Sequence, residues 1–395
     1  MKDLTNLKTF IIDSDNPEEI DDAVSLELGV NNRNFIWIHI SYPCKLFNHD
    51  SDEDKKARNK CSSLYLIDKY VPMLSNQVIE IANLKQNKSS ETISARVELN
   101  ENGSIKEYEI TEAIIKPNYQ ITYEETNEII DLEPKEEHEL IVLNNLLKKS
   151  VDYRKSKGAL IFDSPNTKIT EDNDVISIEK VYKTDAHQLI SEAMILMGFV
   201  ISDYLKNKNI PAPYRSQKLN CNPYEILERN SNSLIKYSIL KQYIGKSYIS
   251  LKPGRHETLG LETYIQATSP LRRYLDLIVQ RQLYLTFNNQ NPLSEDSINL
   301  IIENIKLKQN DLNNIIKENK LKYLRLFFNK DINKLHKIIF IRWVNLKKNI
   351  ALVYFPDINL ETLINLYISI DTYTNKIYKV KYNLNDNSNL LEFIN

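Results

Sequence analysis

The chain has 395 residues, 42% of them hydrophobic and 26% charged, the make-up of a globular protein with room for one large domain and a small accessory one. Its net charge of −2, from 51 basic and 53 acidic side chains, does not mark the whole chain as a polyanion binder. The opening MKDLTNLKTF has no apolar signal-peptide core and no uninterrupted apolar run reaches membrane-spanning length, so the expectation is an intracellular chain without a membrane partner.

Taken in order, TFIID, AVSLEL and FIWIHI are short apolar runs that read as strands. Asn102-Gly103 then separates two alternating runs, which predicts a hairpin and makes the chain β-rich up to residue 117. EEHELIVLNNLLKKSVDYRKSKG has helical periodicity and stops at Gly158, a residue suited to the position after a helix end. DAHQLISEAMILMGFVISDYLKNKN reads as a second helix, closed by Pro211 and Pro213. A third is expected from TSPLRRYLDLIVQRQLYLTF, with Ser269 as N-cap and Pro270 at the first helical position, and a fourth over 295–330. In the tail, IIFIRWV, IALVYF, LINLYISI, KIYKVKYNL and LLEFI are five short strands, the strand count of an OB barrel. The fold class is therefore α+β, with a body over 1–333 and an all-β, OB-like barrel over 334–395.

Two stretches carry chemistry. In FIIDSDNPEEIDDA, Asp13 ends a strand and a proline-containing turn brings Glu19, Asp21 and Asp22 back beside it. Carboxylates this close repel unless a cation neutralises them. Cys44, Cys61 and Cys221 are too few and scattered for a zinc site or a disulfide framework, so oxygen ligands and magnesium, with manganese as the alternative, are expected. A calcium EF-hand fails, since Glu18 stands where its glycine belongs and Val24 where its last glutamate belongs. The competing reading is a solvated acidic loop.

The second stretch is YIQATSPLRRYLDLIVQRQL. It places Arg272 and Arg273 in the first turn of the expected third helix, an end that disfavours cations unless a phosphate or carboxylate is present. The bland alternative is an Arg272–Asp276 pair one turn on. From Lys306 to Lys348, twelve Lys/Arg face only Asp311, Glu318 and Asp331, a stripe that can neutralise phosphates or simply be solvated.

Asp13, Glu19, Asp21 and Asp22 resemble the D-x5-D-x-D-D motif of the ribonuclease II/R (RNB) family, with Glu19 in place of an aspartate. The Tyr264–Leu283 run is similar to that family's Y-x-x-x-TSP-I-RRY-x-D-L-x-x-HR-x-L, with Gln280 for the histidine. RNKCSSLYLIDKYVPML looks like R-x-x-x-x-S-x-YLP…PML, making Tyr65 the counterpart of an active-site tyrosine, although Leu66-Ile67-Asp68 follow where a proline is usual. KPNYQITYEETNEI, HQLISEAMIL and IIKENKLKYLRLF resemble the stretches that carry substrate-facing Tyr123, sugar-contacting Glu192 and a glutamate near the active site, Glu318. PAPYRSQ with Arg215 and HETLGLETY with His256 also fit. Ser41-Tyr42 stands where the family reads Ala-Asp. Each aromatic or acidic residue here has a plain reading as a half-buried tyrosine or a solvated helix face.

The resemblance implies an RNB catalytic domain over 1–333, a mixed sheet surrounded by helices, before a barrel over 334–395 that would bind RNA. It implies a 3′→5′ exoribonuclease that hydrolyses single-stranded RNA to 5′-mononucleotides. Asp13, Glu19, Asp21 and Asp22 would hold the metal, with Asp13, Asp21, Asp22, Arg272 and Tyr65 catalytic and Tyr123, Glu192, Arg273 and Glu318 binding substrate. The family's two N-terminal cold-shock barrels are not expected, since the acidic motif begins at residue 13. The alternatives are a weakened or inactive RNA-binding protein on the same fold and a small-substrate phosphodiesterase. Gln266, a variant of cyanobacterial and plastid members, and the Asn/Lys/Ile-rich composition suggest plastid stroma or bacterial cytoplasm. No obligate protein partner is implied, and a monomer is expected.

Overall fold

Alternating and continuous apolar runs in the first third of the chain build a seven-stranded mixed sheet, seen in a computed structural model that describes residues 1–30, 33–162, 165–220, 222–229, 234–368, 374–384 and 389–394. Cys221 lies outside the described residues; Cys44 and Cys61 are buried and unpaired. In chain order come β1 (Lys2–Asp3), β2 (Thr9–Asp13), β3 (Asp22–Leu28), β4 (Asn34–Ser41), α1 (Asp52–Lys60), β5 (Leu64–Tyr65), β6 (Tyr70–Val71), α2 (Asn76–Ala82), β7 (Ser90–Leu99), β8 (Ile105–Ile115) and β9 (Tyr119–Thr122). The sheet order is β1-β8-β7-β4-β3-β2-β9, antiparallel except where β1 meets β8 and β2 meets β9. The FIWIHI strand is continuous rather than alternating because both its faces are covered. Ile36, Ile38 and Ile40 join the main core, while Trp37 packs with Leu4, Ile11 and Leu84 on the other side.

The helical part comprises α3 (Tyr123–Leu132), α4 (His138–Ser156), the hairpin β10 (Asn166–Asp172) and β11 (Val175–Val181), α5 (Asp185–Asn207), β12 (Tyr214–Ser216), α6 (Pro223–Arg229), α7 (Lys236–Leu240), β13 (Tyr248–Ser250), α8 (Tyr274–Phe287) and α9 (Glu295–Asn329). By length and hydropathy α5 could cross a membrane, yet most of its apolar window is buried and it runs through the core against α3 and α4. Gly198 on α5 allows a close crossing: a Cβ there would lie 2.4 Å from the Ile265 carbonyl oxygen. At the Asn102-Gly103 turn Gly103 has φ +83°, and a Cβ would collide with the Lys149 carbonyl. The hairpin is thus pinned to α4 as well as closed.

One element starts later than the sequence implies. Ser269 and Pro270 do not open α8, which begins at Tyr274 with Arg273 in extended conformation before it. The buried Asp276 carboxylate folds back to accept the Ser269 N–H at 2.9 Å, and Arg273 bridges to Ser62, with Tyr274 N–H donating to the Cys61 carbonyl. These bonds hold residues 269–273 as a turn.

The tail forms β14 (Leu335–Asn345), β15 (Ile350–Phe355), β16 (Leu360–Tyr367), β17 (Ile377–Asn383) and β18 (Leu391–Ile394), closed as a barrel in the order β14-β15-β16-β18-β17. Its core is Phe340, Val353, Phe355, Ile364, Val380 and Phe393, joined by Leu324 and Phe328 from the end of α9. Phe328 lies 5.2 Å from Phe393 and 5.4 Å from Phe355, ring centre to ring centre, so helix and barrel share one core.

Candidate active site

The carboxylates meet because β2 and β3 stop pairing early. Thr9↔Ser25 and Phe10↔Val24 are their only paired positions, and beyond these the strands splay, leaving room for the loop 14–21. Asp13 ends β2 and Asp22 begins β3. The loop is tied down by Leu84 N–H to the Ile20 carbonyl at 3.2 Å and Ser41 N–H to the Asp21 carbonyl at 2.7 Å. One hollow of about 280 Å³ is lined by Asp13, Glu19, Asp21, Asp22, Tyr65 and Arg272. A second, of about 310 Å³, shares Asp13, Asp22 and Arg272 and adds Tyr123, Arg273, Ser191 and Gln266. Eight of the predicted site residues therefore surround one two-lobed cleft.

Asp21 is 4% exposed. Its Oδ1 accepts from the Leu271 N–H at 3.0 Å and the Ser41 hydroxyl at 2.9 Å, while its buried Oδ2 has no hydrogen-bond partner and Arg272 Nε stands 3.8 Å away. Burial pushes the Asp21 carboxyl up to about 8, against the pull of the Leu271 amide and Arg272. Burial and the neighbouring Asp13 charge push Asp22 to about 7, and burial also raises Asp13. Glu19 accepts from the Ser63 hydroxyl at 2.9 Å and from the Tyr65 hydroxyl. An oxygen-only donor set with an unsatisfied buried carboxylate oxygen and raised acids fits a divalent cation of the magnesium kind. The quartet is not drawn tightly together. Among the described residues the group whose ligand atoms fall within 4.8 Å is His49, Asp50 and Asp54, and there Arg58 already pairs with both carboxylates and offsets one of their two charges.

The two arginines divide. Arg272 is exposed and faces the carboxylates. Arg273 makes a two-pronged pair with Asp276, Nε to Oδ1 at 3.0 Å and Nη2 to Oδ2 at 2.6 Å. The pair with Asp276 thus belongs to Arg273 and not to Arg272. Tyr123 follows Thr122, which registers with Asp13 across β2–β9, and its ring stacks on His187 at 4.0 Å.

Two predicted residues stay outside the cleft. Glu192 is 2% exposed; it accepts from the Ser150 hydroxyl at 2.7 Å and from Arg154 Nε at 2.9 Å, and lines a separate cavity behind α5. Its neighbour Ser191 faces the cleft instead. Glu318 is exposed on α9 and lines neither hollow. Sequence reasoning missed Ser41 and Ser63 as partners of Asp21 and Glu19, along with His187 under Tyr123. Gln280 donates to the Ser41 carbonyl at 2.6 Å, so two departures from the family pattern touch each other.

Residues 1–289 match the RNB domain. The chain belongs to the RNB-domain family. Over 91% of its length it is 29% identical to an uncharacterized ribonuclease of Synechocystis, covering 54% of that protein. It is 30% identical over 78% of its length to a chloroplastic/mitochondrial ribonuclease II of Arabidopsis thaliana, covering 39% of it. The RNB chain thus spans about half the length, or less, of these relatives. Among solved structures it superposes on the Dss1 exoribonuclease of Candida glabrata with a TM-score of 0.89 at 21% identity, over 100% of this chain and 55% of that one. Mycoplasma genitalium RNase R, solved with ribose-methylated single-stranded RNA, gives 0.86 at 19%, over 100% and 71%. Yeast Ssd1, described as a pseudonuclease, gives 0.70 at 15%, over 92% and 50%. At these identities the superpositions establish the RNB fold with its barrel.

Proposed function

We propose that this RNB chain is a 3′→5′ exoribonuclease that hydrolyses single-stranded RNA to 5′-mononucleotides. The observation that carries the reading is the buried, unpartnered Asp21 Oδ2 among three further carboxylates, with Arg272 opposite. Magnesium, or manganese, on Asp13, Glu19, Asp21 and Asp22 would polarise the scissile phosphate and acidify the attacking water. In-line attack forms a bond from water oxygen to phosphorus and breaks the bond to the 3′-oxygen, releasing a 5′-mononucleotide and an RNA shorter by one. Arg272, exposed and 3.8 Å from Asp21, is placed to steady charge on the phosphoryl oxygens. Tyr65, 47% exposed and anchored through its hydroxyl to Glu19, offers a ring face to the terminal base. Tyr123 and Arg273 line the adjoining lobe that would take the upstream sugar and phosphate. Direction and product rest on the family likeness, as does location in a plastid stroma or bacterial cytoplasm. Binding by the barrel over 334–395 is part of the same proposal.

A second reading, an RNA-binding protein with a silent site, draws on one finding: a described pseudonuclease shares the fold. Digestion of 5′-labelled single-stranded RNA with magnesium separates the two. A ladder shrinking from the 3′ end with released mononucleotides, lost in Asp21→Asn, supports hydrolysis. RNA bound but uncut, with manganese as with magnesium, overturns it.

A further inference from the structure

Tyr65 sits on a two-residue strand of a very short hairpin. β5 pairs with β6 through Leu64↔Val71 and Tyr65↔Tyr70, and the turn 66–69 is closed by Leu66 N–H to the Lys69 carbonyl at 2.9 Å. So small a hairpin has little rigidity of its own. The turn residues Leu66, Ile67, Asp68 and Lys69 include no proline to fix φ.

The turn is gripped from outside by α9. Asn319 Oδ1 accepts the Ile67 N–H at 3.0 Å, and its Nδ2 donates to Asp68 Oδ1 at 2.8 Å. Lys322, nearly one turn further along α9, stands 3.7 Å from Asp68 Oδ2. One planar amide thus holds a backbone donor and a side-chain acceptor of the same turn, which fixes orientation as well as distance. Asp68 is held below its ordinary carboxyl value, first by the Asn319 bond, and so stays an acceptor.

We propose that Asn319 is a positioning residue for Tyr65: it clamps the apex of the β5–β6 turn and so fixes where the Tyr65 ring meets the terminal nucleotide. The inference rests on the reading of Tyr65 given above. The helix that supplies the clamp ends inside the barrel core at Phe328, so the nucleotide-facing hairpin and the barrel are held by one rigid element.

The test pairs turnover of a short labelled RNA with a binding readout on Asp21→Asn protein. In the latter, an RNA ending in 3′-terminal 2-aminopurine loses fluorescence when its last base stacks. Asn319→Ala is expected to slow terminal removal about tenfold, as a misplaced group does, and to restore much of the 2-aminopurine signal. The unfolding temperature should stay near that of the parent. In a Tyr65→Ala background Asn319→Ala should add nothing. Asn319→Asp sets two carboxylates against each other and should mimic Asn319→Ala, and adding Asp68→Asn should rescue it. Equal losses in the parent and Tyr65→Ala backgrounds, or an unchanged rate and signal in Asn319→Ala, overturn the clamp. If Tyr65→Ala itself changes neither rate nor quenching, the reading of Tyr65 falls and takes the clamp with it. Parent protein that neither cuts nor quenches points instead to failure of the nuclease reading.

Discussion

The Asp21 carboxylate is hydrogen-bonded through one oxygen, while the other has no hydrogen bond and only Arg272 3.8 Å away, which is costly in a buried site unless a cation adds to it. Magnesium should therefore raise the unfolding temperature. At a hundredfold excess over its dissociation constant the gain is about 2.7 kcal/mol, a shift of several degrees by calorimetry. Asp21→Asn should start more stable without metal and lose most of that response; an equal response in both would place the cation elsewhere. Arg272→Ala should lower turnover about 10²–10³-fold while leaving stability nearly untouched, because the side chain is half-exposed. For Glu192→Gln the expectation is the opposite. Its carboxylate is locked against Arg154 in the interior, so removing the charge should cost about 3–5 kcal/mol by denaturant titration, with turnover per folded molecule unchanged. That Asp13, Glu19, Asp21 and Asp22 would share one cleft was legible because they fall within ten residues around a single strand–loop–strand. Ser41 and Ser63 were not, since a serine that donates to a carboxylate looks the same in sequence as any other serine.

At the scale of elements, legibility followed how local the deciding forces are. Strands with covered faces and the Asn102-Gly103 hairpin announce themselves through short-range pattern. The start of α8 does not, because Asp276 bonding back to Ser269 and Arg273 bridging to Ser62 override the Ser-Pro start signal. Two elements had readable signals that went unused. Thr122 and Glu125 form a capping box at the head of α3, and Asn173 and Asp174, both at positive φ, turn the β10–β11 hairpin. A buried cross-strand contact carries a pH prediction. His39 on β4 lies 2.8 Å from both the Ser25 hydroxyl on β3 and the Ser94 hydroxyl on β7, and burial holds its imidazole down at about 3. The unfolded chain takes up a proton near pH 6.5 and the folded one does not, so this contribution is complete above pH 6.5 and declines as pH falls towards 3. At pH 5 the loss is about 2 kcal/mol. A His39→Asn chain should lack that share of the acid slope in unfolding temperature; an identical slope would show that His39 is not its source.

Across the whole molecule α9 is the connecting beam. It leaves the body at Glu295, exposes its middle turns, grips the Tyr65 hairpin at Asn319 and ends as part of the barrel core. The basic stripe read from the sequence falls in two places. Lys306 to Lys322 lie on the helix, where Lys306 pairs with Glu303, Lys308 is bonded to Asn59 and Lys322 faces Asp68. Lys337, Arg342, Lys347 and Lys348 are exposed on the first barrel strand and the turn after it. If the barrel grips RNA upstream of the cut, those four residues are the ones that displace counterions. Lys347→Gln with Lys348→Gln should then weaken binding of a long single strand and flatten its dependence on salt, by roughly one unit of slope for each phosphate no longer neutralised. Turnover of an oligonucleotide too short to reach the barrel should not change. A long-strand affinity and salt slope equal to the parent's would place the upstream grip on another face, and the exposed middle of α9 would be the next surface to neutralise.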